Sequence, residues 1–459
     1  MFTNRTRLIQ HNPIQFNYGI AVTDIDDDGE FELVVAGFRH PNLVLKWNGS
    51  GFINIADPVI ADDQRQAIGL AACDIDGDGM EEIYILNTDT FAGQKRVADR
   101  LFDRADGEWT DLFSLPVNQR IANLTAGRSV AALDRLGTGR YGFFVANYGG
   151  PLRLYELDDD GRLNDVAPLA RLDQVTGGRS VLALPLISTG MDIFAGNEGG
   201  PNFLFRNNGD GTYMNVADML NIGDDLQNAR GVAVLDANQD GLPDIVCGNW
   251  EGPHRLFIQS FDGTFTDLAT PEIAAPSRVR TVIAADFDND GYEEIFFNNI
   301  GQPNRLFGFR EGRWVPMSIG DAIEPFGFGT GAAVGDFDGD GRLELIISHG
   351  ETGMQPLTLY HTPNNHNHWL RVIPYTAQGA PARGAVVTLR MEGRLLQRYI
   401  DAGSGYLCQM EPVAHFGLGE STEIERVEVR WLDGEMHIIE NPEPDQVLKI
   451  KHPMSEKIF

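Results

Sequence analysis

The sequence predicts an all-β protein: a seven-bladed β-propeller over residues 1–363, followed by a small β-sandwich-like domain over 364–459. Three observations carry this expectation: a motif that returns every 50 residues, four short strand-like runs in each period, and the loss of the period near residue 363. A unit of four strands cannot bury both sheet faces alone, so such units stack around a ring as propeller blades.

The motif reads DIDDDGEFE from Asp24, DIDGDGMEE from Asp74, DANQDGLPD from Asp236, DFDNDGYEE from Asp286 and DFDGDGRLE from Asp336. The gap from Asp74 to Asp236 is 162 residues and holds two weaker copies, RSVAALDRLGTGRYGFFVAN (128–147) and RSVLALPLISTGMDIFAGN (179–197). The count is therefore seven. After the motif come an apolar run such as ELIIS, a loop, a run such as RLFIQ, a Gly turn, and a closing element such as FINIA (52–56) or FTDLA (265–269). Apolar runs of this length bounded by turn residues read as strands. The seventh copy lacks the closing element, and FTNRT at Phe2 resembles it, so the N-terminal strand is expected to complete that blade and remove an open sheet edge.

Asp-x-Asp-x-Asp-Gly followed by a ninth-position acid gathers hard oxygen ligands on a tight loop, which suits calcium. A helix–loop–helix site is excluded, because its twelfth position needs a bidentate Glu and here falls on Val35 and Ile85. Calcium loops between two strands are expected instead, about five sites in all. Their candidate ligands are Asp24, Asp26, Asp28 and Glu32; Asp74, Asp76, Asp78 and Glu82; Asp236, Asn238, Asp240 and Asp244; Asp286, Asp288, Asp290 and Glu294; and Asp336, Asp338, Asp340 and Glu344. A single such loop is also what a solvated acidic turn looks like; five in register point to metal.

The tail stretches NHWLRVIPYTAQGAPARGAVVTL (367–389), GSGYLCQMEPVAHFGLGE (403–420) and VEVRWLDG (427–434) resemble the ASPIC/UnbV domain, and the repeats resemble the FG-GAP/VCBS type. Together they are similar to the cartilage acidic protein family over nearly the whole chain. The resemblance implies a seven-bladed propeller, calcium loops and a C-terminal β-rich module. GSGY at 403 reads as a turn, and HTPNNHNHW, with His361, His366 and His368, reads as the ordinary start of the second domain.

Six positions before the motif stand Arg128, Arg230 and Arg280, and Arg179 takes the equivalent place in the fourth copy. First strands are innermost in a propeller, so four arginines should crowd one mouth of the central channel, opposite the acidic loops. Loops carrying Tyr148, Glu198, Trp250 and Glu251 approach the same mouth. Arginine suits bidentate binding of carboxylate or phosphate. The cluster reads either as a site for an anionic small molecule, glycan or protein partner, or as ties between blades through Glu198, Glu251 or loop carbonyls.

A net charge of -30, from 66 acids against 36 bases, disfavours nucleic acid and anionic membranes as partners. Cys73, Cys247 and Cys408 form no disulfide framework and read as buried reduced thiols. No apolar run is long enough to insert into a membrane, and no secretory signal pattern is seen in this stretch, which reads as cytoplasmic; calcium loops suit an extracellular or periplasmic setting. No P-loop, dinucleotide fingerprint or nucleophile elbow is present. A calcium-stabilised binding protein is thus the leading expectation, with an enzyme at the channel mouth (a lyase or carbohydrate-active protein) or a calcium-dependent lectin as alternatives.

Overall fold

The computed structural model describes residues 1–105 and 107–455. Seven four-stranded antiparallel sheets follow the repeat copies, starting with Asn17–Thr23, Glu32–Gly37, Leu43–Trp47 and Phe52–Asn54. Further sheets span 67–111, 127–165, 175–215, 229–267 and 279–316. The second strand of the third sheet, Gly142–Pro151, runs beyond its own blade and pairs with Val175–Leu184, joining the third and fourth sheets. The seventh contains Gly329–Gly335, Glu344–His349 and Thr358–His361, and its outermost strand is Thr3–Asn4, with Thr3 opposite His361. Phe2 anchors that strand: it is buried and meets Phe287 edge-on at 4.9 Å between ring centres. Closing the ring this way leaves no long free edge at the chain start. Among the described residues no helix is long and apolar enough to cross a membrane.

A recurrent side chain pins the loop after the second strand. Asn42, Asn202 and Asn304 accept the backbone N–H of Gly37, Asn197 and Asn299 at 2.8, 3.0 and 2.7 Å. In the fifth copy His254 replaces asparagine, its Nδ1 accepting from Asn249 N–H at 2.9 Å while Nε2 meets Ser277 Oγ at 3.0 Å. Burial pushes His254 down to about 3, aided by the Arg305 charge. The neutral ring is therefore the one that folding selects. Unfolded chains protonate this residue below about 6.5, so its contribution is complete above that pH and is lost progressively toward pH 3. His254→Asn should preserve the pin and improve stability at pH 5 by about 2 kcal/mol relative to pH 8, read from urea unfolding at both pH values; an equal effect at the two would contradict it.

The C-terminal module is a sandwich of two sheets. Val386–Met391, Arg394–Tyr399, Arg426–Arg430 and Met436–Glu440 form one; His368–Pro374 lies between Ala414–Gly419 and Gln446–Ile450 in the other. The pair from Leu370 opposite Gln446 is parallel, a departure from the otherwise antiparallel pattern. Leu370, Val387, Leu389, Phe416, Val427 and Val429 fill the space between them.

This module sits on the acidic-loop face. Gly417 N–H donates to Asp286 Oδ2 at 2.9 Å, Arg398 lies 3.3 Å from Glu293, and the fully buried Arg383 reaches across to Glu81. Its segment 401–411 does turn at Tyr406 and Leu407, as GSGY suggested, with Ser404 paired to Cys408 across the turn, and the turn is buried. It is threaded into the propeller channel, where Gln409 exchanges backbone bonds with Ile20 and Val22, Gly405 with Val232, and Ala132 donates to Ala402. Innermost strands present unpaired backbone groups toward the channel, and the inserted segment satisfies several of them. Gly405 has φ +64, and a Cβ there would stand 2.8 Å from Thr281 Cγ2, so glycine is required for the close approach. The three cysteines are buried and unpaired.

Candidate functional site

Each acidic loop is first of all a self-stapled turn. The opening Asp accepts the N–H of the sixth-position glycine, at 2.8 Å for Asp24 and Gly29 and at 3.0 Å for Asp74 and Gly79. The closing acid reaches back to the residue after the opening Asp: Ile25 to Glu32 at 3.0 Å, Ile75 to Glu82 at 2.7 Å, Ala237 to Asp244 at 2.9 Å, and Phe287 to Glu294 and Phe337 to Glu344 at 2.9 Å. The glycines take φ between +80 and +96, which the turn demands.

The five loops then diverge in the cation they already contain. In the first, Lys46 Nζ lies 2.7 Å from Asp26 and Asp28 and 3.0 Å from Glu32. In the sixth, Arg310 reaches Asp288, Asp290 and Glu294 at 2.6, 3.0 and 2.9 Å. In the seventh, Arg342 pairs with Asp340, and His361 lies 3.2 Å from Asp340. Loop five has Asn238 within its set and no ion pair among the described residues, although the Arg398 charge acts on Asp236; burial pushes Asp236 up to about 6 and Asp244 up to about 7.

Loop two is different in kind. Asp74, Asp76 and Asp78 bring oxygens within 4.8 Å of one another, and Asp103, on a neighbouring strand, joins Asp76 and Glu82 in the same way. No basic side chain pairs with these five among the described residues. Burial, with mutual repulsion, pushes Asp74 up to about 7 and Glu82 well above the usual carboxylate range. Five crowded acids without a counter-charge fit a bound hard cation better than any other loop.

At the opposite mouth the four arginines do converge. Arg128, Arg179, Arg230 and Arg280 line one chamber of about 530 Å³, together with Glu198, Glu351, Phe91, Trp250 and Tyr406. All four are buried by aromatic faces: Phe91 lies under Arg128 and Arg179 at 5.3 and 5.0 Å, and Trp250 under Arg230 and Arg280 at 5.6 and 4.1 Å. Stacking holds the guanidinium planes while leaving edges free to donate. Arg179 pairs with Glu198 at 2.5 Å, Arg230 stands 3.2 Å from the same carboxylate, and Arg280 donates to Glu351 at 2.9 Å. Arg128 instead donates to the carbonyls of Thr90 and Phe91. Ties between blades and an arginine-lined cavity therefore coexist.

Two predicted members fall outside the chamber wall. Glu251 turns to the surface and pairs with Arg278 at 2.8 Å, because the tight turn at Glu251 (φ +53) carries it away. Tyr148 supports from behind, its ring 4.4 Å from Arg179. Glu351 was missed, although it occupies in the seventh copy the loop that bears Glu198 in the fourth. Tyr406 was missed as well: it comes from the C-terminal module, and its hydroxyl makes no hydrogen bond among the described residues. Burial raises Tyr406 while all four guanidiniums lower it, and the net position is below the usual tyrosine range.

The ring of sheets with Asp-x-Asp-x-Asp-Gly loops defines an FG-GAP-like repeat protein: residues 24–85, 190–247, 236–297 and 286–347 match the FG-GAP-like repeat, and 375–457 match ASPIC and UnbV. The chain is 50% identical to cartilage acidic protein 1 of Xenopus tropicalis, over 96% of this chain and 74% of that protein. The human protein of that name is likewise 50% identical, over 97% and 73%. The chain belongs to the cartilage acidic protein family. Among solved structures, a chain from the crystal structure of BBS1N in complex with ARL6DN superposes with a TM-score of 0.51 at 11% identity, covering 79% of this chain and 97% of that one, a likeness of fold.

Proposed function

We propose that the protein is a calcium-stabilised binding protein whose ligand is anionic, a small molecule or glycan, held in the arginine chamber opposite the acidic loops. The observation that carries this reading is the convergence of four buried guanidiniums on one cavity in a chain of net charge -30. Buried cations are costly unless matched, and among the described residues only two carboxylates, Glu198 and Glu351, are paired to them there. Loop two would hold calcium through Asp74, Asp76, Asp78, Glu82 and Asp103, supplying stability rather than chemistry. In loops one, six and seven the ion would have to displace Lys46, Arg310, or Arg342 and His361, so weaker binding is expected there than at loop two.

Arg230→Ala tests the chamber. Binding of an anionic panel (sulfated and uronate oligosaccharides, dicarboxylates, phosphate esters) measured by calorimetry should fall at least tenfold, with the melting temperature changed little. A lower melting temperature with undiminished binding would instead assign the arginine to blade ties alone.

A second reading, an enzyme at the channel mouth, is favoured by Tyr406, a phenol faced by four guanidiniums and so suited to proton transfer. Conversion of a panel ligand that is lost in Tyr406→Phe while binding persists would distinguish it.

A further inference from the structure

The chamber's charge and donor pattern narrow the ligand, on the reading that it binds anions at all. Four guanidinium charges face the two carboxylates of Glu198 and Glu351, which leaves two positive charges without a partner. Asp89 also lines the rim, but it pairs outward with Arg96 at 2.8 Å. The surplus is local: Arg128 and Arg230 are 7% and 5% exposed, Arg128 is met by the Thr90 and Phe91 carbonyls and not by a carboxylate, and Arg230 shares Glu198 with Arg179. A buried guanidinium without a carboxylate of its own is costly, and a bound anion would supply the missing charge.

A further donor facing the chamber is the Tyr406 hydroxyl, delivered by the inserted segment of the C-terminal module. These donors come from three directions: the third blade, the fifth blade and the channel axis. A carboxylate offers two oxygens in one plane, whereas a tetrahedral oxyanion on an ester offers three oxygens arranged around an axis. We propose that the chamber takes a phosphate monoester, its dianionic phosphoryl group held by Arg128, Arg230 and Tyr406 and its organic part lying between Phe91 and Trp250.

Size and surroundings agree with an organic part. About 530 Å³ lies within the ~300–1,000 Å³ of small-molecule sites and exceeds what a bare oxyanion fills. Phe91 remains 63% exposed, a large apolar surface presented beside the cations. Uncompensated charge also shows in Arg230, brought down to about 10 by burial and by the Arg179 charge, and in Arg128, lowered by the same causes. The C-terminal module thereby supplies a residue of the site, which a propeller alone would lack.

Calorimetric titration of the full chain at pH 7.5 with phenyl phosphate, phenyl sulfate and benzoate tests this. Phenyl phosphate should bind at least tenfold more tightly than the two monoanions; Tyr406→Phe should weaken it about tenfold without lowering the melting temperature, and Arg230→Gln should weaken it further. Equal affinity for all three, abolished by Arg230→Gln, would overturn the phosphomonoester assignment while leaving an anion-binding chamber standing. Binding insensitive to both variants, an adventitious anion only, would overturn it too. If neither these probes nor the wider anionic panel bind to the folded chain, the anion-binding reading itself fails.

Discussion

Arg383→Met should destabilise the protein by about 3–5 kcal/mol. Arg383 is 0% exposed and ties four elements together: Glu81 from the second blade at 2.5 and 2.9 Å, the Val22 carbonyl of the first at 3.1 Å, and the carbonyls of Asp401 and Met410 at 2.8 and 3.5 Å. Those last two flank the segment inserted in the channel. Methionine fills the volume but leaves the Glu81 carboxylate buried with only Thr23 Oγ1, at 2.8 Å, to serve it. An orphaned buried charge costs far more than a broken surface pair. Adding Glu81→Gln should recover most of the loss. Urea unfolding checks both variants; a loss below about 1 kcal/mol for the single change would show that the module docks without this bond.

Chelation should lower the melting temperature by roughly 3 °C, most of it through loop two. One site saturated at a hundred times its dissociation constant stabilises the folded state by about 2.7 kcal/mol, and in a chain of this size that corresponds to a few degrees. Asp76→Asn with Asp103→Asn should abolish most of the chelator effect, because those acids lie at the centre of the cluster without a basic neighbour. Asp26→Asn should abolish little, since Lys46 already neutralises loop one.

The pH dependence follows from Asp74, raised to about 7 from the usual aspartate value near 4. A carboxyl raised in the folded state is favourable while protonated, so metal-free protein loses stability as pH climbs from about 4 to 7. Calcium binds the ionised form and should offset that loss, making the calcium effect larger at pH 8 than at pH 5. Differential scanning calorimetry at both values, with and without chelator, measures it; no response to chelator at either pH would remove calcium from the scaffold.

What the chain reveals before folding is whatever repeats. The 50-residue spacing from Asp286 to Asp336 marks blades, and the offset of Arg128, Arg230 and Arg280 from their motifs brings them to one channel mouth. Features present once are hidden. Tyr406 sits in Gly-Ser-Gly-Tyr, a composition shared with ordinary turns, and its place in the chamber comes from backbone pairing of Gly405 and Gln409 with Ile20, Val22 and Val232 far away in sequence.

Lys46 shows an intermediate case. Strand register places it beside Glu32, since Leu33 lies opposite Leu45, and the same register puts Asp103 and His361 in the other loops. That position could have been read from the aligned copies, but only by treating the third strand as part of the loop site. Glu251 was misjudged because sequence position gives a loop and not the direction its side chain leaves.

The most direct measurement is a crystal structure of the full chain with tungstate, a tetrahedral dianion, located by its anomalous signal. The arginine chamber predicts one dominant peak within hydrogen-bonding reach of Arg128, Arg230 and the Tyr406 hydroxyl, absent in Arg230→Gln. Peaks confined to the outer surface, with the chamber empty and the four arginines in place, would contradict an anion-binding function for this site.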